Sequence, residues 1–370
     1  ERSGLRAVAA QVLSVSSTQV HTVLAVGALD GGGHAVAWLA RPAGDAQAAG
    51  EVFVQRFGVD GAAMGPPLPL PQAFGPDNLA VHVHADGSIS VATAVPSSPD
   101  AQTRRTDLRL HRFNAAGQAL GTSEIASVQH QTWDRAYWSL LNPAFAAWPD
   151  GRHALGWAAQ VSTPLGTAVE VSVQVFDAQG QPQGGPVTDR EAGYASFHLG
   201  TVPDGGFVLG TLRRGVQPYQ VFTQVGLALP LPLPRATEED PSVPQEALLL
   251  SLHQGGHVFF TGRPGAAGTV ESPDAQWFGP DGLPGGSVPL AVLPQAALAL
   301  ADGGYVAVST GSVQRYTEHA QAVGAAVTLA TGQAAPAQAL RGDGSVALAW
   351  TTRGEDGVSR VVMQRVQVVE

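Results

Sequence analysis

One stretch of the chain concentrates the side chains that bind ligands in other proteins. Val128 to Leu140 carries three of the twelve Trp and Tyr residues of the protein. Its candidate ligand-binding residues are His130, Trp133, Asp134, Arg135, Tyr137 and Trp138. Trp and Tyr offer rigid amphipathic contact area and Arg offers planar donors, so this set suits sugar rings or a protein hot spot. The alternative is that Trp133 and Trp138 pack inward and contribute to the core instead.

Paired arginines form a second candidate set. Arg104 and Arg105 lie in one variable stretch, and Arg213 and Arg214 lie in another. An arginine cluster is suited to a carboxylate or an acidic glycan. The alternative is that these are solvated loop charges, so the sequence leaves both interpretations open.

No catalytic or metal-binding motif is present. The chain lacks G-x-S-x-G, H-E-x-x-H and P-loop patterns. His82 and His84 share one face of a strand at i,i+2, but a metal would need a third ligand that the neighbouring sequence does not supply, so we expect a structural role. The R-G-D at Arg341–Gly342–Asp343 is explained by a D-G turn that recurs elsewhere in the chain. We therefore predict no catalytic residues, no metal and no cofactor.

Composition narrows the class of protein. There is no Cys, which excludes disulfides and thiolate metal sites, and all 20 basic residues are Arg. The formal charge of −10 argues against nucleic acid and anionic membranes as main partners, and no apolar run is long enough for a transmembrane helix. The first residue is Glu rather than Met, as expected if a signal peptide had been removed.

Seven copies of one phrase organise the chain. Each is a tight turn, usually D-G, followed by an alternating strand ending in Trp, Thr or Ser, such as D-G-R-H-A-L-G-W at Asp150 to Trp157. A second strand follows in each unit, usually with Gln and an aromatic, as in V-F-V-Q-R-F at Val52 to Phe57. From Gln55 to Gln364 the spacing averages about 51 residues, which is the length of a propeller blade.

Each unit predicts four short strands, A to D, joined by Gly-containing hairpins. The fold class is therefore all-β, a seven-bladed β-propeller in one domain over residues 1–370. The predicted blades span about 18–72, 73–127, 140–190, 191–243, 244–292, 293–332, and 333–370 with 8–17. The last unit ends after strand C, so Gln11 to Ser17 is expected to supply its missing strand and cover the sheet edge. A linker is the alternative for that segment.

The pattern D-G-G-x-V-x-x-W … Q-R-F-x-x-x-G-x-x-x-G resembles the repeats of bacterial secreted and surface-anchored β-propellers, over essentially the whole chain. That resemblance implies a bacterial, extracytoplasmic protein, whether secreted, on the cell surface or periplasmic. It implies little about activity, because propellers host both binding and enzymatic functions.

Variation collects on one side of the predicted ring. The A–B and C–D turns are nearly uniform, whereas the B–C and D–A connections are long and different. Since function usually lies on variable loops held by a rigid scaffold, we expect the ligand site on the B–C/D–A rim. The favoured hypothesis is a non-enzymatic binding or assembly module for a glycan or a protein. The alternatives are a lyase or glycosidase on the same rim, using His130, Arg135, Tyr137 or carboxylates, and a self-assembling subunit of a surface layer or filament.

Overall fold

The computed structural model describes residues 4–75, 78–100, 102–131, 138–148, 150–163, 166–189, 197–202, 205–211, 219–222, 246–264, 270–280, 283–330 and 336–369. Regular structure in these ranges consists of β-strands joined by turns, with no helices. In these ranges there is accordingly no helix long and apolar enough to cross a membrane.

The strands form seven antiparallel sheets, numbered here in chain order. Sheet 1 contains β3 (Gln19–Ala28), β4 (His34–Pro42), β5 (Gly50–Phe57) and β6 (Leu68–Phe74). Sheet 2 contains β7 (Leu79–Val83), β8 (Ile89–Ser97), β9 (Thr103–Phe113) and β10 (Ala119–Gln131). Sheet 3 contains β11 (Trp138–Ala147), β12 (His153–Thr163), β13 (Gly166–Phe176) and β14 (Val187–Asp189).

The second half of the chain repeats the arrangement. Sheet 4 contains β15 (Phe197–Thr201), β16 (Phe207–Thr211) and β17 (Tyr219–Phe222). Sheet 5 contains β18 (Glu246–Ser251), β19 (His257–Pro264), β20 (Val270–Phe278) and β21 (Pro284–Pro289). Sheet 6 contains β22 (Ala296–Ala299), β23 (Tyr305–Ser309), β24 (Ser312–Tyr316) and β25 (Ala322–Thr328). Sheet 7 contains β26 (Ala337–Leu340), β27 (Val346–Arg353) and β28 (Ser359–Val369), joined by β1 (Gly4–Ala7) and β2 (Gln11–Ser16).

The architecture is a β-propeller, but the described residues contain six complete blades rather than the seven that the repeats predict. Six sheets have at least four strands, whereas sheet 4 has three. Residues 223–245, which follow β17 and were expected to supply its fourth strand, lie outside the described ranges. The prediction of seven four-stranded blades is therefore wrong for the described part of the chain, and the prediction of four-stranded blades fits the other six.

The two ends of the chain meet in sheet 7, as the sequence predicted. Gly4 to Ala7 of β1 pairs with Val369 to Val366 of β28, and Gln11 to Ser16 of β2 pairs with Met363 to Ser359. The two short strands thus cover the full outer edge of the long β28. An exposed edge of this length would otherwise present unpaired backbone groups to other chains.

The core lies between neighbouring sheets rather than inside any one of them. One cluster joins Val52 and Leu70 of sheet 1 to Val81 and Val91 of sheet 2. Another joins Val308 of sheet 6 to Leu348 of sheet 7. A single four-stranded sheet cannot bury both faces by itself, so each unit depends on its neighbours for stability.

The Q-R-F portion of the repeat has a separate structural role for each residue. The Gln amide joins strand C to the connection that leads into strand D: Gln55 Nε2 donates to the carbonyls of Arg56 and Gly65 at 3.0 and 2.9 Å. Gln174 and Gln314 make the same pair of bonds in sheets 3 and 6. In these three sheets the amides therefore satisfy backbone groups within one blade.

The arginine of the repeat reaches the next sheet. Arg56 of sheet 1 donates to the carbonyls of Gly87 and Ala115 in two turns of sheet 2. Arg365 of sheet 7 donates to the carbonyl of Val59 in a turn of sheet 1. The arginine of one sheet therefore bridges to turns of the next sheet. These are the A–B and C–D turns, which the sequence predicted to share one rim.

The aromatic residue covers the start of strand B. The strand register pairs His34 with Phe57 and His153 with Phe176, and the rings stack at centroid distances of 4.7 and 5.1 Å. Tyr305 stacks on Tyr316 at 5.2 Å in the same position of sheet 6. Such pairs add packing energy on top of the area they bury.

Candidate functional site

A cleft of about 440 Å³ opens between sheets 1 and 2, at their B–C/D–A rim. Its polar lining residues are Gln47, Gln72, Asn78, Thr93, Arg109 and His111. Gln47 belongs to the B–C connection of sheet 1 and Asn78 to the connection between β6 and β7, so the variable loops form its mouth. Phe74 supplies an apolar wall, with its ring edge against the His111 ring at 5.5 Å.

His111 occupies the repeat position that holds Gln in most other units. Its Nδ1 lies 3.0 Å from Gln72 Nε2 and 2.9 Å from Thr122 Oγ1, and its Nε2 lies 3.1 Å from Thr93 Oγ1. Because the Gln72 amide nitrogen donates to Nδ1, the ring proton is on Nε2 and is donated to Thr93. Burial, and secondly the positive charge of Arg109, lower the pKa of His111 below its ordinary value of 6.5. At neutral pH the ring is therefore an uncharged hydrogen-bonding group.

Arg109 is held at the cleft by a buried carboxylate. Asp107 is 4% exposed, and its Oδ2 lies 3.2 Å from Arg109 Nη2. Arg105 and Ser127 donate to the other oxygen of Asp107. Burial alone would raise the pKa of Asp107, but these hydrogen bonds lower it, so the carboxylate stays ionised and keeps one side of the Arg109 guanidinium in place.

The sequence-derived arginine candidates are only partly in this region. Arg105 lies beside the cleft, where it contacts Asp107 and bonds to Glu124 at 2.8 Å. Arg104 is exposed and donates to Ser98, and its backbone partner across the β9–β10 ladder is His130. Arg213 and Arg214 lie outside the described residues.

Both ends of the aromatic segment Val128 to Leu140 belong to strands. Val128 to Gln131 continues β10, and Trp138 to Leu140 begins β11, in which Trp138 pairs with Val161. A connection that spans all of residues 128–140 is therefore ruled out, because each flanking strand extends into this segment. Trp133, Asp134, Arg135 and Tyr137 lie outside the described residues, so their role as ligand contacts stays a prediction.

His82 and His84 have a neighbour that sequence spacing did not reveal. His153 of sheet 3 brings its ring centroid to 4.8 Å from His84 and 6.1 Å from His82. Burial is the main cause that lowers the pKa of all three, and for His153 it falls to about 3. The described residues contain no group of three or more His, Cys, Asp or Glu side chains that could hold a metal ion.

The R-G-D sequence has a structural role. The Arg341 side chain is fully buried, and it donates to Asp343, Ser345 and the carbonyl of Val59. The guanidinium that a partner would have to reach is thus enclosed between sheets 7 and 1.

The sequence reasoning missed the cleft between sheets 1 and 2. Gln72, Thr93 and His111 belong to three different strands, and nothing in their spacing shows that they meet. The available signal was the single His that replaces the repeated Gln, since a departure from a repeat marks a position with a different environment.

Comparison with known proteins supports the fold. No protein-family model matches the chain, and no curated protein matches it. Among solved structures, the polysaccharide lyase Uly1 superposes with a TM-score of 0.63 at 14% identity, covering 94% of this chain and 90% of that one. A protein of unknown function from Dyadobacter fermentans gives 0.55 at 12% identity, with 99% of both chains covered. An α-L-arabinanase from Penicillium chrysogenum gives 0.52 at 10% identity, covering 98% of both chains. At these identities the likeness concerns the fold, and β-propellers that act on carbohydrates are among the similar structures.

Proposed function

We propose that this protein is a glycan-binding module and that the cleft between sheets 1 and 2 is its binding site. The observation that carries the proposal is the set of hydrogen-bonding side chains in the cleft: Gln72, Thr93 and His111 are fixed to one another beside Phe74. Sugars are bound by such fixed amides, hydroxyls and imidazoles next to an apolar surface. Two of the similar structures, a polysaccharide lyase and an α-L-arabinanase, act on carbohydrates, which supports a carbohydrate as the ligand class.

The state of His111 favours binding over catalysis. Its Nδ1 lone pair accepts a hydrogen bond from the Gln72 amide, and its Nε2 proton is donated to Thr93. A general base needs a free lone pair within reach of the substrate proton. His111 in this arrangement instead orients polar groups around a ligand.

Binding is tested by titration calorimetry of the full chain against a panel of acidic and neutral oligosaccharides. We expect at least one saccharide class to bind, and Thr93→Val to weaken that binding about tenfold by removing a hydroxyl while keeping the shape of the side chain. Thr317→Val is the matched control, because Thr317 lies in a turn of sheet 6. Equal binding by Thr93→Val and wild type would contradict the assignment of the cleft.

A lyase or glycosidase is the second candidate. The observation in its favour is the Arg109 guanidinium in the lining of the cleft, since this group can stabilise negative charge that develops on a substrate. Incubating the same saccharides with the protein and measuring new reducing ends or unsaturated products tests it. Release of products that is abolished by His111→Gln would replace the binding-only proposal.

Two further features belong to the proposal. We place sheet 4 in the ring as the seventh blade, because its three strands have the same order and register as strands A to C of the other sheets. We also place the protein outside the cytoplasm of a bacterium, with which the absence of Cys is compatible. Fractionation of the native cells, with detection of the chain by antibody, tests the location.

A further inference from the structure

We infer that the glycan bound in this cleft is acidic, and that Arg109 is the residue that recognises its carboxylate or sulfate group. The inference rests on the proposed glycan-binding function and deepens it. It concerns which class of saccharide the cleft selects.

The charge of the cleft lining is the first argument. Among the described lining residues Arg109 is the one charged side chain, and none is a carboxylate. The remaining polar groups are the amides of Gln47, Gln72 and Asn78, the Thr93 hydroxyl and the neutral His111 ring. Within the lining, an oxyanion therefore meets one positive charge and no carboxylate. The ionised Asp107 that is paired with Arg109 is not part of the lining.

The hydrogen-bonding capacity of Arg109 is the second argument. Its side chain is 45% exposed, and the one bond described for it joins Nη2 to Asp107. An arginine has five N–H donors, so most of its donors are directed elsewhere than Asp107. A charge-assisted bond to a carboxylate or sulfate is the strongest interaction that these donors can make.

The fixed position of Arg109 is the third argument. A flexible surface arginine loses side-chain entropy when it orders around a ligand. Here the ionised Asp107, itself held by Arg105 and Ser127, already restrains the guanidinium before a ligand binds. The protein as a whole carries a formal charge of −10, so a general attraction for polyanions is not expected and recognition has to be local.

The experiment compares ligands that differ only in charge. A uronate oligosaccharide, its carboxyl-reduced counterpart and a sulfated oligosaccharide are titrated into the full-length protein by calorimetry. We expect the reduced ligand to bind at least tenfold more weakly than the uronate. Preference for the uronate or for the sulfated ligand distinguishes carboxylate from sulfate as the recognised group, and either preference supports the inference.

Variants then assign the effect to Arg109. We expect Arg109→Gln to weaken binding of the acidic ligand at least tenfold and to leave the weak binding of the reduced ligand unchanged. Arg360→Gln is the matched control, because Arg360 is also paired with an aspartate, Asp356, but lies in sheet 7. Its affinity for the acidic ligand should equal that of wild type.

Two negative outcomes have different meanings. If the reduced and acidic ligands bind equally and Arg109→Gln changes neither, the acidic class is wrong while the glycan-binding function stands. If the wild-type protein binds no saccharide of either kind, the proposed function itself is wrong.

Discussion

Arg365 Nη1 donates a hydrogen bond to the backbone carbonyl of Val59 at 3.3 Å, although 306 residues separate them in sequence. Arg365 occupies the same repeat position in sheet 7 as Arg56 does in sheet 1. Arg56 in turn bridges sheet 1 to sheet 2. The contact that joins neighbouring units along the chain therefore also joins the last unit to the first. Arg341 strengthens this junction by donating to the carbonyls of Gly32 and Val59.

The first prediction concerns Arg341. Replacement by Met keeps most of the volume but removes the guanidinium bonds to the carbonyls of Gly32, Gly58 and Val59, of which Val59 keeps its bond from Arg365. Because this guanidinium is fully buried, we expect a loss of about 3 to 5 kcal/mol in the free energy of unfolding. Urea denaturation measures it, and Arg360→Met, at a partly exposed ion pair, should leave the free energy of unfolding close to that of wild type. Equal stabilities of the two variants would show that the Arg341 junction is not important.

The second prediction concerns the N-terminal strands. Deletion of residues 1–17 removes β1 and β2 and uncovers the whole outer edge of β28. We expect the melting temperature to fall sharply and the shortened chain to aggregate, because the exposed edge can pair with other chains. Scanning calorimetry and light scattering measure both effects. A deletion limited to residues 1–3, which precede β1, is the control and should melt like wild type.

The sequence predicted the repeated strands and the pairing of the N-terminal segment with the last unit, but it did not predict the cleft between sheets 1 and 2. The D-G turns and the alternating strands are local signals, and the incomplete last unit identified the N-terminal segment as its partner. The count of complete blades was wrong for the described residues, because a strand was assigned to a region after Phe222 that they do not include. The cleft could not be predicted, since Gln72, Thr93 and His111 meet only through the packing of one sheet on the next.

The third prediction is a loss of stability in mild acid caused by buried histidines. Burial, and secondly the charge of Arg341, lower the pKa of His34 to about 4, and burial lowers that of His257 to about 4. The unfolded chain takes up protons at these rings near pH 6.5, whereas the folded chain does so only near pH 4. These histidines therefore do not reduce the free energy of unfolding above pH 6.5. As the pH decreases from 6.5 toward 4, the free energy of unfolding falls by roughly 1.4 kcal/mol per pH unit for each such histidine.

His34→Phe tests this prediction at one site. Phe occupies the equivalent position at Phe207, and the new ring can stack on Phe57 as the imidazole does. We expect the variant to lose less stability than wild type between pH 7 and pH 4.5, measured by urea denaturation at each pH. His319→Gln, at an exposed histidine, should follow the wild-type curve. A His34→Phe curve parallel to wild type would rule out His34 as a contributor.

The last prediction separates the structural role of His111 from its role at the cleft. Gln is the residue at the equivalent position in sheets 1, 3 and 6, where its amide donates to a carbonyl in strand D or just before it. His111→Gln therefore introduces a side chain that the repeat accommodates, and we expect the free energy of unfolding to stay within about 1 kcal/mol of wild type. The imidazole bonds to Gln72 and Thr93 are lost in the variant, so glycan affinity should fall about tenfold, as expected for one buried hydrogen-bonding group. Calorimetric titration and urea denaturation of the same preparation measure both quantities. Loss of stability together with affinity would instead assign His111 to the scaffold, and the ligand site would then have to be sought around residues 132–137.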